Sequence, residues 1–476
     1  MIDTKALRSR ILDLAIQGKI SSPCIDDDNV DDIAKSIPEI SAKRKSLLKK
    51  SYNYDVKFDI PKHWRMMKLG QISSYGDTPK KAMISETTPD TWILELEDIQ
   101  SGGALLYKKR VNSSTSIGEK TVFKKNQVLY SKLRPYLKKV LVADENGIST
   151  PELISFDVYG GIVEKYIVFY LTNSFVDKMI NNRSYGVKMP RVDAGFMVNL
   201  PIPVPPLAEQ KRIVQRVEEI FRILDTIDEA QEKYSADAAS LRSKLITACI
   251  QGKLTQQFES DGTAEELYQR IQEEKQKLIK DGKIKKEKPL PPIKDDEIPF
   301  EVSSNWKWCR LNEISEKITS GSTPPGGKKG NAYVKQGYCF FREQNIYNDG
   351  IHMNGMVYIA EELLNTRKNS TVIANDILLN ITGGSIGRCA IIPDDFTKGS
   401  INQHILIIRL VNEDMRYFIH QILCSPYVQK LIKSKAVGDK DGFSGGRCKA
   451  MLVPLPPLAE QKRIAEKLGE LLGVLE

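Results

Sequence analysis

Much of what announces an enzyme or a membrane protein is missing from this 476-residue chain. No run reaches the roughly 18 uninterrupted apolar residues that a spanning helix needs. The first residues, MIDTKALRSRILDL, interleave charge with apolar positions and do not read as a secretory leader. The seven cysteines (24, 249, 309, 339, 389, 424 and 448) are dispersed and form no CxxC pair. That pattern fits reduced thiols in a cytoplasm better than a disulfide framework. The four histidines, His63, His352, His404 and His420, are scattered without zinc-ligand spacing. The nearest approach to a phosphate-binding GxxxxGK[ST] loop is STPPGGKK at 322–329, which begins on Ser, ends on Lys and reads as a flexible loop. No GxGxxG follows a strand. No Asn-Pro-Pro-aromatic or Asp-Pro-Pro-aromatic sequence of an amino-methyltransferase occurs, and no carboxylate cluster suggests a nuclease metal centre. These absences describe a chain without catalytic chemistry, metal or bound cofactor of its own.

What is present is a repeat. Residues 205–213 and 456–464 both read PPLAEQKRI, 251 positions apart, after LPIPV and MLVPL respectively. A second pair, LRSRILDLAIQGKI at 7–20 and LRSKLITACIQGKL at 241–254, shares seven of fourteen residues, enough to establish a second repeated segment. A weaker third pair links 60–79 with 302–324 through Trp64 and Trp306, Leu69 and Leu311, Ile72 and Ile314, and a Gly-x-Thr-Pro at 76–79 and 321–324. Both halves therefore run in one order: LRS…IQGK helix, polar linker, Trp-containing opening, divergent interior, PPLAEQKR helix. Duplicated frames around diverged interiors suit a device that presents two different recognition surfaces. The net charge of +9 permits a nucleic-acid partner without demanding one.

Pro205-Pro206 leads into a helical pattern. Ile213, Val217, Ile220, Leu224 and Ile227 are spaced 4, 3, 4, 3, and the register continues through Gln231, Tyr234, Ala238, Leu241, Leu245 and Ala248. That is a coiled-coil seam with one polar interruption. A second seam begins at Ile464, Leu468, Leu471 and Leu475, where the sequence ends; Leu7, Ile11 and Leu14 align with Leu241, Leu245 and Ala248. The first and last helices together resemble the central helix cut in two, so the expectation is a pseudo-circular arrangement in which they pair antiparallel with it. Either the N-terminal segment completes the closing helix or the chain is truncated. Residues 264–288 are helical in pattern, and 275–288 carry seven lysines against two acids, a solvated linker or a DNA-backbone contact. PLPPIKDDEIP then breaks the helix.

The interiors read as mixed α/β. Strand-like stretches are 91–96, 127–130, 140–143, 377–381, 389–392 and 404–410, with helical stretches at 164–180 and 415–431. Several loops combine Arg and Lys with Asn, Gln, Ser and Thr, the chemistry of phosphate and base-edge contacts. In the first interior the candidates are Thr78, Lys80 and Lys81; Lys132, Arg134, Tyr136 and Lys138; and Lys188 and Arg191. In the second they are Thr323; Arg342, Gln344 and Asn345; Thr382, Ser385 and Arg388; and Lys440, Arg447 and Lys449. Each is equally compatible with an ordinary exposed loop.

The doubled PPLAEQKRI, each copy opening a heptad helix, together with LRS…IQGK, resembles the specificity subunits of type I restriction–modification enzymes. The resemblance implies an α+β fold with two α/β target-recognition domains separated by long antiparallel coiled-coil helices in a pseudo-twofold, pseudo-circular repeat. The expected division is an N-terminal helical segment and linker at 1–60, recognition domains at 61–204 and 303–455, a central spacer helix at 205–258, a linker at 259–302 and a C-terminal spacer helix at 456–476. Each recognition domain would read half of a split double-stranded DNA site, with the helices setting the spacing. Two methyltransferase subunits would dock on the helices, and motor–nuclease subunits would join them. S-adenosylmethionine, ATP and magnesium would reside on those partners, in the cytoplasm. Motif-matched docking candidates are Leu207, Glu209, Gln210, Lys211 and Arg212, with Leu458, Glu460, Gln461, Lys462 and Arg463; helix-start packing and capping is the other reading of the same residues. A coiled-coil scaffold, or the recognition part of a fused restriction–methyltransferase enzyme, are the alternatives. The first leaves two large interiors unexplained, and the second lacks its methyltransferase motif.

Overall fold

The computed structural model describes residues 1–25, 27–54, 59–112, 118–186, 188–324, 332–436 and 443–475. The chain divides into two compact units, 1–233 and 234–476. The division falls inside one continuous helix of 44 residues, Leu207–Ile250. Among the described residues no helix is long and apolar enough to cross a membrane.

The repeated segments build the frame of each unit. In the first, the opening helix Thr4–Ala15 runs antiparallel to the start of the central helix. Thr4 donates to Asp228 at 2.5 Å, and Arg8 pairs with Asp225 and Asp228 at 2.9 and 2.8 Å. In the second, the last turns of the central helix take the part of the opening helix: Ile246, Cys249 and Ile250 share a core with Ile464, Leu468 and Leu472 of the closing helix Leu458–Gly473. The start of the chain and the end of the central helix are thus structural equivalents, as the pseudo-circular repeat predicts.

The equivalence extends to burial. Leu7 and Leu241 are 43% and 45% exposed, while Leu12, Ala15 and Ile16 are buried like Ile246, Cys249 and Ile250. This corrects the predicted seam. Ile213, Val217 and Leu224 are buried, but Tyr234 and Leu241 are exposed, and the inward face at the far end lies one residue beyond Leu245 and Ala248.

The glycine of each IQGK ends its helix in a left-handed turn, Gly18 at φ +68° and Gly252 at φ +69°. A Cβ would lie 2.5 Å from Pro61 at the first and 2.7 Å from Ser303 at the second, and 3.0 Å from the ring of Trp64 or Trp306. The helix end is therefore packed directly against the tryptophan that opens each interior.

That tryptophan meets the PPLAEQKR motif. The Trp64 indole N–H donates to Glu209 at 3.0 Å, and the Trp306 indole to Glu460 at 2.9 Å. Both carboxylates are fully buried. Glu209 also accepts from Ser21 at 2.8 Å and meets His63 Nε2 at 2.8 Å; Glu460 accepts from Gln257 at 2.8 Å. Three residues on, Arg212 pairs with Asp27 at 2.7 Å and Arg463 with Asp261 at 2.5 Å. Gln210 and Gln461 fold back onto the carbonyls of Pro205 and Pro456, both at 2.8 Å. After the tryptophan, Arg65–Lys68 pairs antiparallel with Pro201–Val204, and Lys307–Arg310 with Leu452–Leu455. Each interior therefore starts and ends on one two-stranded ribbon.

The interiors share a topology that their sequences conceal. In the first, Trp92–Leu94 runs parallel to Gly147–Ser149 and antiparallel to Lys109–Arg110; in the second, Tyr338–Phe341 runs parallel to Gly399–Ile401 and antiparallel to Val357–Ile359. A second sheet follows, with Val128–Ser131 between Val140–Val142 and Leu153–Phe156, and Ile377–Asn380 between Cys389–Ile391 and Ile405–Leu410. Each predicted long helix is two: Glu164–Thr172 and Ser174–Asn182, then Arg416–Cys424 and Pro426–Ala436. The breaks have one cause, since Asn173 and Ser425 cap the second helix of each pair through side-chain oxygens. The linker helix is Ala264–Lys280, shorter than the pattern over 264–288, because Gly282 at φ +71° ends it.

Removing a buried carboxylate that satisfies several donors should be costly. Glu209→Ala is expected to lose about 2–4 kcal/mol in chemical denaturation, because the Trp64 indole and Ser21 hydroxyl lose their acceptor. Glu460→Ala should behave alike, and an unchanged denaturation midpoint would contradict the assignment. The Arg212 and Arg463 hydrogen bonds hold Asp27 and Asp261 below the usual carboxylate range. A lowered carboxyl contributes stability that is present above its unfolded value near 4 and is lost as pH falls through the folded one. Stability should therefore decline below about pH 5, and less steeply in Asp27→Asn with Asp261→Asn.

Candidate nucleic-acid interface

The strongest structural correspondence between the interiors is a turn. Residues 132–139 connect Val128–Ser131 to Val140–Val142, and residues 381–388 connect Ile377–Asn380 to Cys389–Ile391. The turns have equal length, and each holds a short 3-10 segment, Pro135–Leu137 or Gly383–Ser385. Left-handed residues stand at the same places: Arg134 (φ 50°) and Lys138 (φ 51°) in the first, Gly383 (φ 72°) and Gly387 (φ 87°) in the second. Asn126 and Asn375, the other positive-φ non-glycine residues among the described residues, also occupy equivalent turns, and asparagine tolerates this conformation. Arginine and lysine do so at a cost of about 1–2 kcal/mol.

The same segments flank both turns. Lys132 N–H donates to the carbonyl of Glu152 at 3.1 Å, and Ile381 N–H to that of His404 at 2.9 Å. The carbonyls of Lys132 and Ile381 accept from Val192 at 3.3 Å and Phe443 at 3.1 Å, which follow the candidates Lys188 and Arg191 in the first unit and precede Arg447 and Lys449 in the second. Two constellations legible in each interior of the sequence are thereby neighbours in space. Lys440 lies outside the described residues.

On this shared backbone the side chains differ. In the first unit Arg191 pairs with Glu152 at 2.8 Å, and Lys132 stands 3.9 Å from the same carboxylate. The Arg191 hydrogen bond keeps Glu152 ionised, below its usual range. Lys138 is engaged by the Thr172 carbonyl and Asp177, both at 3.2 Å, so it fastens the turn to the helices. Arg134, Tyr136, Tyr185 and Lys188 are exposed. In the second unit the surface is a hydrogen-bonded chain. Thr323 meets Gln403, Gln403 Nε2 lies 3.1 Å from His404 Nε2, and His404 Nδ1 lies 2.6 Å from the Thr382 hydroxyl. Ser385 receives a bond from Asn380 at 3.2 Å, and the Arg388 guanidinium lies 4.4 Å from the Tyr347 ring centroid.

Sequence reasoning missed Gln403 and His404; their equivalence to Pro151 and Glu152 depends on strand register across the domain. Other candidates stand differently. Asn345 is fully buried, accepting from the Arg342 N–H at 3.1 Å and donating to the His352 carbonyl at 2.9 Å, whereas Gln344 is exposed. Arg342 donates to the Gly355 carbonyl. Thr78 receives a bond from Lys43 at 3.2 Å, Lys81 pairs with Glu119 at 2.5 Å, and Lys80 is exposed; no hydrogen bond or ion pair among the described residues joins these three to the turn. Lys449 pairs with Glu287 at 2.6 Å, and Arg447 is exposed.

The motif residues face mostly inward. Glu209, Gln210, Glu460 and Gln461 are buried, and Arg212 and Arg463 are held in ion pairs within their own units. Leu207 and Leu458 are half-buried. Lys211 and Lys462 are exposed, the latter 3.0 Å from Asp414. Among the described residues no group of three or more His, Cys, Asp or Glu could hold a metal ion.

A family model described as the type I restriction modification DNA specificity domain matches residues 61–233 and again 303–474. The type I restriction enzyme EcoAI specificity subunit of Escherichia coli is 24% identical over 98% of this chain and 89% of its own length. The EcoEI specificity subunit of Escherichia coli is 26% identical over 67% of this chain and 63% of its own length. A chain solved in work on complex assembly and conformational transition of the type I R-M system superposes with a TM-score of 0.59 at 18% identity, over 88% of this chain and 92% of that one, a likeness of fold. With the family model matching twice and spanning well over half of its residues, the chain belongs to the specificity subunits of type I restriction–modification systems.

Proposed function

We propose that this chain is the non-catalytic subunit that sets DNA sequence specificity in a type I restriction–modification complex, each unit reading one half of a bipartite double-stranded site. The observation that carries this reading is the pair of equivalent turns at 132–139 and 381–388, with one backbone and two sets of side chains. One set is cationic and aromatic; the other is rich in hydroxyl, amide and imidazole groups. Such groups supply phosphate contacts, stacking and base-edge hydrogen bonds. Two different sets on one scaffold suit two different half-sites.

In this reading the helices that frame the units set the spacing between half-sites and carry two methyltransferase subunits, with motor–nuclease subunits joining the complex. S-adenosylmethionine, ATP and magnesium act on those partners in the cytoplasm, while this chain supplies the address. Exposed Lys211 and Lys462 are the members of the repeated motif best placed for such docking.

Two measurements test the reading. The chain assembled with its methyltransferase subunits should bind random duplex DNA with an affinity that falls steeply as salt rises, because phosphate neutralisation releases counterions. Binding that is undetectable or indifferent to salt would contradict it. Exchanging residues 61–200, which the ribbon of Arg65–Lys68 and Pro201–Val204 closes at its base, for the corresponding region of another family member should change one half of the target. A change in both halves would contradict modular reading.

A further inference from the structure

We propose that Arg134 is the residue that reads a guanine in the half-site of the first unit. The inference rests on the DNA-reading role proposed above and names a base-specific contact within it.

Arg134 and Lys138 hold left-handed conformations that the second unit gives to Gly383 and Gly387. Glycine is the residue such positions favour, so a side chain retained there needs a reason. For Lys138 the reason is internal: its ammonium bonds the Thr172 carbonyl and Asp177. For Arg134 the described residues supply no such reason. Its backbone N–H donates to the Pro190 carbonyl at 2.7 Å, a bond that glycine would make equally well. Its guanidinium is exposed and has no hydrogen bond, ion pair or ring contact among the described residues. Among the described residues no side-chain bond therefore offsets the conformational cost.

The surroundings specify the ligand. Tyr136 and Tyr185 are 49% and 60% exposed close by, the first two residues along the turn and the second paired through the backbone with Arg191. The turn itself is fixed: Pro135 is buried, Lys138 fastens its far end, and Leu133 bridges to Arg191. A guanidinium fork on a rigid turn is pre-organised for a planar pair of acceptors, and in the major groove guanine offers that pair as O6 and N7. A phosphate would also accept from the fork, but a phosphate contact carries no sequence information.

The test is Arg134→Gly, a substitution the fold accommodates because the second unit uses glycine at the equivalent position. The full chain, assembled with methyltransferase subunits, is used to select binding sites from a random duplex pool, as wild type and as R134G. The wild-type motif should contain a guanine in one half that R134G no longer specifies, with about a tenfold or greater loss of discrimination at that base pair. The other half should be unchanged. An unchanged motif, or a first half without guanine, would overturn the proposal. Uniform weakening on all sequences, with a salt slope shallower by about one, would assign Arg134 to a phosphate and overturn it as well. Failure of the wild-type complex to select any motif would instead refute the DNA-reading role itself.

Discussion

The structure depends on a buried carboxylate in each unit. Glu209 and Glu460 sit at the start of a helix, receive the indole N–H of the tryptophan that opens the interior, and are shut off from solvent. A buried carboxylate is tolerated only when donors surround it. That requirement brings four stretches of chain together: the helix start, the tryptophan, the IQGK turn whose glycine lies against the indole, and the loop that carries Asp27 or Asp261. Because the lock and the adjoining two-stranded ribbon hold both ends of each interior, the residues between can diverge without disturbing the frame.

The interiors show how far divergence has gone and where it stops. Topology, turn length and the places of left-handed residues are kept; side chains are not. In the first unit the surface around the turn is cationic, with Lys188 and Arg134 exposed and Lys132 and Arg191 gathered round Glu152. In the second the corresponding surface is a relay from Thr323 through Gln403 and His404 to Thr382. Backbone geometry is the common element and chemistry the variable one, the pattern that the proposed reading of two unlike half-sites requires.

The frame was legible in the sequence because its residues repeat literally: PPLAEQKRI, the IQGK turn and the paired tryptophans each mark a contact that both units make. Strands such as Ile377–Asn380 and Ile405–Leu410 were legible from their apolar runs. The shared topology of the interiors was not, since hydrogen-bond register leaves no trace in residue identity. The same blindness hid His404, which register alone places beside Thr382. Asn345 shows the converse error: an amide in a polar loop looks like a base reader until its burial beneath the Arg342 turn is seen. The long helix was legible from its heptad period, but period alone did not show which positions are buried: Ile213, Val217 and Leu224 are, and Tyr234 and Leu241 are not.

The central claim is that two units in one chain read two separated DNA half-sites on behalf of a modifying complex. Methylome sequencing of a host that expresses this chain with its methyltransferase partners tests it most directly. The account predicts methylation at a split motif, two specified segments separated by an unspecified gap of fixed length. Methylation at one continuous motif, or none that depends on this chain, would contradict it.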